Sequence, residues 1–283
     1  MANLDSWRSG SGSAYKRLND YRREVPLPRL HLFELEDLSW FPAVIRDLAT
    51  DYLHFMETRF ALHQPVVPLL RRALEESRTY VVIDLCSGAG GPVAALSDAL
   101  QASDARLRFR LTDKYPNLDA FSRLAARHPS ISYVAESVDA TQVPCELTGF
   151  RAIFNAFHHF DPQTARAVLQ SAMAARQPIG IFEIPERTLA TMIPLLLTPL
   201  FVWIATPAIR PFRWHRLLWT YLLPLVPLTC WWDGIVSQWR AYTVEELRQL
   251  TTGLHAYKWE AGQVPIGSTP GNLTYLLGIP LVS

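Results

Sequence analysis

Between residues 80 and 186, short β-branched runs alternate with longer amphipathic ones, and this alternation restricts the chain more than any other feature. TYVVIDL, LRFRLTD, ISYVAES, RAIFNAF and IGIFEIP have the length and composition of strands. PVAALSDAL, LDAFSRLAARH and PQTARAVLQSAMAA (162–175) carry apolar residues at helical spacing. Five strands separated by helical crossovers predict a parallel, doubly wound α/β sheet. Further on, TVEELRQLTTG reads as a helix that Thr243 caps, with Glu246 three positions later. YKWEAGQVP and NLTYLLGIP then read as two strands joined by a Gly/Pro turn. They close the sheet at seven strands with an antiparallel edge. Ligands of such sheets bind beyond the carboxyl ends of the strands, so the strand tips are where chemistry is expected.

Composition removes several alternatives. A net charge of +1 over 283 residues gives no electrostatic case for nucleic acid. Cys86, Cys145 and Cys230 are scattered and odd in number, which suggests neither a disulfide framework nor a zinc site and fits a reducing compartment. No apolar signal-peptide core stands in the first 26 residues, so a cytoplasmic location is expected. The Gly/Ser tract at 9–13 belongs to a polar tail expected over 1–29. Residues 30–78 read as an N-terminal helical cap; its WFPAVIRDLATDYLHF helix fits either a second lid wall or a subunit contact.

The first strand runs into VVIDLCSGAGGP, where a glycine cluster brings backbone N–H groups close to a ligand. A triphosphate loop needs a Lys after its glycines, and none follows. A dinucleotide fingerprint needs a third glycine where Val93 stands. The stretch resembles motif I of the class I, Rossmann-like S-adenosylmethionine-dependent methyltransferases. Asp84 matches its acidic position, Gly88 and Gly90 its second and third glycines, and Cys86 replaces the first. Pro92 suits the first turn of the following helix, whose N-terminus can receive the methionyl carboxylate. Asp113 ends the second strand, where an acid would hold two ribose hydroxyls; nicotinamide enzymes use the same device. Asp139 follows the third strand, where the family's acid meets the adenine amino group. The segment FNAFHHFD (154–161) looks like the LHH(L/F) run after strand four in many small-molecule members.

The resemblance covers 79–186, with 241–283 as the last helix and closing strand pair. It implies S-adenosyl-L-methionine as cofactor, contacted by Asp84, Cys86, Ser87, Gly88 and Gly90, then Asp113 and Lys114, Asp139 and Ala140, and Asn155. His158, His159 and Glu183 are the base candidates, while Tyr115, Glu186, Trp232, Asp233 and Tyr242 are candidates for the acceptor pocket. No metal is expected, because adjacent histidines diverge and no Cys/Asp/Glu set accompanies them.

Residues 187–240 hold Trp203, Trp214, Trp219, Trp231, Trp232 and Trp239, six of the nine tryptophans. The uncharged run 188–209 would be roughly 33 Å long as one helix, and 217–232 roughly 24 Å. Prolines 194, 199, 224 and 227 interrupt both, and a hairpin would carry Arg210, Arg213 and Arg216 to the far side, against the positive-inside rule. The reading is therefore a folded cap over the strand ends, with a hairpin dipping into one leaflet through 188–232 as the alternative. Either implies an apolar or aromatic small-molecule acceptor, or a lipid-like one met at a membrane surface. A nicotinamide-dependent oxidoreductase is the rival enzyme class.

Overall fold

The computed structural model describes residues 27–267, 269 and 271–281; the expected 9–13 tail lies outside them. Its centre is a seven-stranded sheet in the order β3-β2-β1-β4-β5-β7-β6. The parallel strands are β1 (Val81–Asp84), β2 (Arg108–Leu111), β3 (Ile131–Tyr133), β4 (Phe150–Phe154) and β5 (Ile179–Glu183). Strands β6 (Tyr257–Pro265) and β7 (Asn272–Pro280) form a hairpin, and β7 enters antiparallel to β5. The predicted doubly wound sheet with an antiparallel edge is therefore the observed one. β4 and β5 are buried along their whole length, as their continuous apolar sequences require of strands covered on both faces.

One face carries α2 (Val66–Ser77), α3 (Val93–Gln101) and α4 (Leu118–Arg127), packed around Leu70, Val82, Leu96, Phe109 and Phe121. The other carries α5 (Pro162–Ala174) and α10 (Val244–Thr251) around Ile153, Leu169, Ile181 and Leu247. Thr243 and Glu246 form the predicted capping box of α10. β1 pairs with β2 on one side and β4 on the other, while the chain runs outward in both directions. The switch point of the sheet is thus at the tips of β1 and β4, where the crevice of such folds opens.

Two expectations change. The third strand stops at Tyr133, because the chain turns back and the Val138 N–H donates to the Asp113 carbonyl. Residues 30–78 do not act as one unit: α2 belongs to the sheet's helical layer, while α1 (Ala43–Arg59) packs with the insertion. The insertion itself is a chain of short pieces: α6 (Leu189–Leu195), α7 (Thr198–Ala205), α8 (Trp214–Leu217), a π-turn at 218–222 and α9 (Leu225–Arg240). Pro194 lies inside α6 and Pro199 at the first turn of α7, and the axis bends by 52° between them. Among the described residues no single helix is long and apolar enough to cross a membrane. α1, α7 and α9 share a core of Ile45, Leu48, Tyr52, Val202, Val226 and Cys230, which packs the insertion against α1.

Candidate active site

The turn after β1 takes four residues through left-handed backbone: Cys86 at φ 62°, Gly88 at 55°, Gly90 at 98° and Gly91 at 38°. Cys86 thus adopts the conformation for which glycine is the default, at a cost of about 1–2 kcal/mol. A Cβ on Gly90 would fall 2.0 Å from Leu124 Cδ1, so that position has no room for a side chain. The Gly88 N–H donates to Asp113 Oδ2 (2.8 Å) and the Tyr115 N–H to Asp113 Oδ1 (2.8 Å). Asp113 therefore ties the first turn to the second, half exposed at the crevice.

Asp84 is buried, and its carboxyl is pushed well above the usual range, first by burial and then by the Asp113 charge. Ser87 Oγ donates to the Asp84 carbonyl and accepts from the Thr112 N–H, bracing the turn from inside. Asp139 is held down to about 2 by its hydrogen bonds with Lys114 and Thr141. Lys114 Nζ donates to its Oδ2 at 2.8 Å, across an exposed ion pair. Ala140 is buried behind it. The cofactor-side candidates thus line three successive tips, β1, β2 and β3.

At the tip of β4, Asn155 is left-handed (φ 51°); its Oδ1 accepts from the Ile184 N–H at 2.8 Å. Its amide nitrogen donates to Glu57 Oε1 (3.2 Å) and lies 2.9 Å from His63 Nε2. Beyond it, Phe157–His159 form a 3₁₀ turn. Glu183, at the end of β5, accepts from the Phe157 N–H with Oε1 and pairs with His158 Nδ1 through Oε2 at 2.5 Å. His158 Nε2 is left facing Glu34 Oε1 at 3.7 Å, and His159 Nε2 faces Glu34 Oε2 at 3.6 Å. Glu183 is therefore the orienting partner of His158 rather than a free base.

The expectation that the histidines diverge is overturned. Their ring centroids are 4.4 Å apart, and Glu34 joins them in a group whose ligand-type atoms all lie within 4.8 Å of one another. The backbone of the 3₁₀ turn folds both rings beneath residues 27–37. A cation already sits there: Arg240 Nη1 is 3.1 Å from Glu34 Oε1 and 2.7 Å from Asp37 Oδ2. Burial opposes the His159 charge, but its hydrogen bond to Asp37 and the charges of Glu34 and Asp37 raise its pKa overall.

Most of the predicted pocket residues hold the scaffold instead. Asp233 accepts from the Leu35 and Glu36 N–H groups (2.7 and 3.2 Å), and the Trp232 indole donates to the Phe33 carbonyl. Both therefore pin the 27–37 strap to α9. Tyr242 donates to the Phe160 carbonyl, with the Arg29 guanidinium 4.0 Å from its ring centre. Glu186 accepts from Asn272 N, Asn272 Nδ2 and Gln263 Nε2, which engages it with the β6–β7 hairpin. Tyr115 is 81% exposed beside Asp113. The structure adds Glu34, Asp37 and Arg240 to the histidine cluster, and Glu57 and His63 to Asn155. They come from elements far apart in the chain, and no local pattern marks them.

No family model matches this chain, and no curated protein matches it. Solved structures do. Human N-acetylserotonin methyltransferase, in complex with S-adenosylmethionine, is 14% identical over 97% of this chain and 68% of its own, at a TM-score of 0.49. An O-methyltransferase family protein from Burkholderia thailandensis is 16% identical over 95% and 69%, at 0.46. A Nostoc punctiforme protein, provisionally described as an O-methyltransferase, is 13% identical over 77% of this chain, at 0.46; the chain spans only 56% of that protein's length. Likenesses this distant say nothing of activity, which rests on the strand tips themselves.

Proposed function

We propose that this protein transfers a methyl group from S-adenosyl-L-methionine to a small apolar or aromatic acceptor. The observation that carries the reading is the line of acids, Asp84, Asp113 and Asp139, at three adjacent strand tips around a glycine turn, next to the oriented His158. The residues suit the group: Asp113 and the ionised Asp139 offer carboxylates to hydroxyl and amino donors, and the Gly88 position has no heavy atom within 4 Å of an added Cβ, so a ligand can approach its backbone. When bound, the sulfonium supplies an activated methyl group for in-line displacement. This chain then has two tasks. The strand tips fix the reactants, which contributes roughly 7–11 kcal/mol. His158 takes the acceptor's proton at Nε2, because Glu183 holds its Nδ1–H; such help is worth about 10²–10⁴-fold.

Calorimetric titration with S-adenosylhomocysteine and with NADH separates this reading from the oxidoreductase. The expected result is binding of the first and not the second, with Asp113→Ala weakening it at least about tenfold. The reverse preference would overturn it.

A specific observation favours a lipid surface as the source of the acceptor. The cap turns large apolar side chains outward, among them Ile193, Leu196, Ile204, Trp214 and Leu222, each more than 60% exposed. The exposed Arg210 stands among them. So many neighbouring apolar groups exceed what a surface bathed only in water ordinarily shows. Co-sedimentation with anionic vesicles tests this, with Ile204→Glu/Trp214→Glu/Leu222→Glu expected to leave the protein in the supernatant. Equal pelleting of wild type and variant would remove the lipid surface from the scheme.

A further inference from the structure

Among the described residues Glu57 is a carboxylate without a Lys or Arg partner. It comes from α1, outside every strand-tip segment, and its side chain is only 20% exposed. Its one side-chain hydrogen bond among the described residues is the 3.2 Å contact from Asn155 Nδ2. Among the described residues the one ion-pair candidate near it is His63 Nε2 at 3.9 Å. His63 does not serve as a cation, because burial, followed by the His54 charge, pulls its pKa down to about 4. Its Nε2 lies 2.9 Å from the Asn155 amide nitrogen, which as a donor requires that ring nitrogen to be an acceptor. A buried carboxylate with a single neutral donor is costly unless a cation completes it.

The surroundings define which cation. Glu57 and His63 stand at one end of a cavity of about 250 Å³, whose wall continues through Gly91 and Pro92 at the start of α3 and then through Val67 and Ala95. A compact primary ammonium, with three donors, matches a carboxylate beside a neutral imidazole. At the same helix start Pro92 has no N–H and the Val93 N–H donates to the Gly90 carbonyl, but the Gly91, Ala94 and Ala95 N–H groups have no backbone partner among the described residues and can meet a carboxylate. A carboxylate-binding helix start and an ammonium-binding side chain on one cavity are the two halves of an α-amino-acid site.

We infer that Glu57 binds the α-ammonium of the methionyl end of the S-adenosyl ligand. This rests on the cofactor reading above and adds to it a residue that no strand-tip motif contains. The physical expectation is that a bound ammonium returns Glu57 toward its ordinary range from about 7, where burial first and Asn155 in opposition have set it. His54 and His63, which line the cavity, are the other titratable groups facing it.

The test compares three ligands by calorimetry: S-adenosylhomocysteine, its 2-oxo-acid analogue lacking the amine, and methylthioadenosine lacking the whole amino-acid end. Wild type should prefer S-adenosylhomocysteine over the oxo analogue at least about tenfold. It should also release up to about half a proton at pH 7, read from buffers of different ionisation enthalpy. Glu57→Gln should abolish both the preference and the proton release while binding methylthioadenosine as wild type does. A folded Glu57→Gln that keeps the preference overturns the inference, as does a wild type that shows none. If Glu57→Gln does not fold, the wild-type ligand ratio and proton release decide alone. Failure of all three compounds to bind would instead bring down the cofactor reading itself, a result distinct from equal binding of the amine and oxo forms.

Discussion

The two sides of the strand-end crevice are assembled from very different distances along the chain. On the β1–β2–β3 side, Gly88 meets Asp113 and Lys114 meets Asp139, each across 25 positions, and the side chains stand partly in water. On the β4–β5 side, Asn155 reaches back 98 positions to Glu57, His159 122 to Asp37, and Arg240 203 to Asp37. There the charges are mostly buried; Glu34, Asp37, Arg240 and His159 answer one another, while Glu57 has no Lys or Arg partner among the described residues. Exposed acids at turn tips can exchange their partners for a ligand at little cost. A buried network has no such freedom, because removing one member leaves the others uncompensated. The first side is built to receive; the second holds a strap and orients an imidazole, with Glu57 as the one group there left for a ligand.

The sharpest way to break that contrast is to remove the central cation of the buried side. Arg240→Ala leaves Glu34 and Asp37 with His159 as their remaining cationic partner among the described residues and should cost about 3–5 kcal/mol in urea unfolding. Removing Lys114 from its exposed pair with Asp139 should cost less than about 1 kcal/mol. Equal losses would erase the distinction.

A comparable effect, read in turnover rather than stability, belongs to Glu183→Gln. Gln offers one acceptor oxygen and an NH2 donor where Glu183 accepts from both the Phe157 N–H and His158 Nδ1–H, so His158 loses its charged anchor and kcat should fall about 10²–10⁴-fold with substrate affinity nearly unchanged. A fall in affinity alone would make Glu183 a scaffold residue only.

A smaller effect is a pH dependence of stability, to which buried Asp84 on the first side adds with the same sign. Burial, with the charges of Asp233 and Glu34, raises Glu36 to about 8. The folded chain therefore holds a proton there that the unfolded chain loses near its ordinary value of 4.5. Stability contributed by this group is complete below that value and declines as pH rises to about 8. Unfolding free energy should accordingly be higher at pH 5.5 than at 8.5, and Glu36→Gln should narrow the gap. Asp139, lowered on the exposed side, titrates only near pH 2 and cannot contribute in this window.

The contrast in chain distance also decides what a reading of the residues can find. Strands, crossovers and the acids at their tips were legible because periodicity and tip position are local properties. Cys86 was identified as the departure from glycine, and its backbone does adopt the left-handed form. Glu34 and Arg240 were invisible because the strap meets α9 across some 200 positions of chain (203 for the Asp37–Arg240 bond), and nothing in HLFELED or SQWRAY signals that meeting. Asp233 and Tyr242 were recognised as polar groups near the site, but local sequence does not say whether a carboxylate faces a ligand or a neighbouring backbone. The tryptophans gave the same difficulty in reverse. Composition marked an apolar cap without telling which faces turn outward, and Trp214 is 77% exposed.

The smallest expected change tests the legible side. Cys86→Gly removes the strain of a φ of 62° but also frees the unfolded chain and gives up some packing. The net should lie within about 1 kcal/mol of zero, whereas Cys86→Val should lose about 1–2 kcal/mol in thermal or urea unfolding.

A crystal structure with S-adenosylhomocysteine bound addresses the whole arrangement at once. The account predicts adenine beside Asp139, ribose hydroxyls on Asp113, the amino group on Glu57, and the sulfur directed toward His158 and His159. Density for the ligand at any other place, or a pose that leaves Asp113 and Asp139 in water, would contradict it.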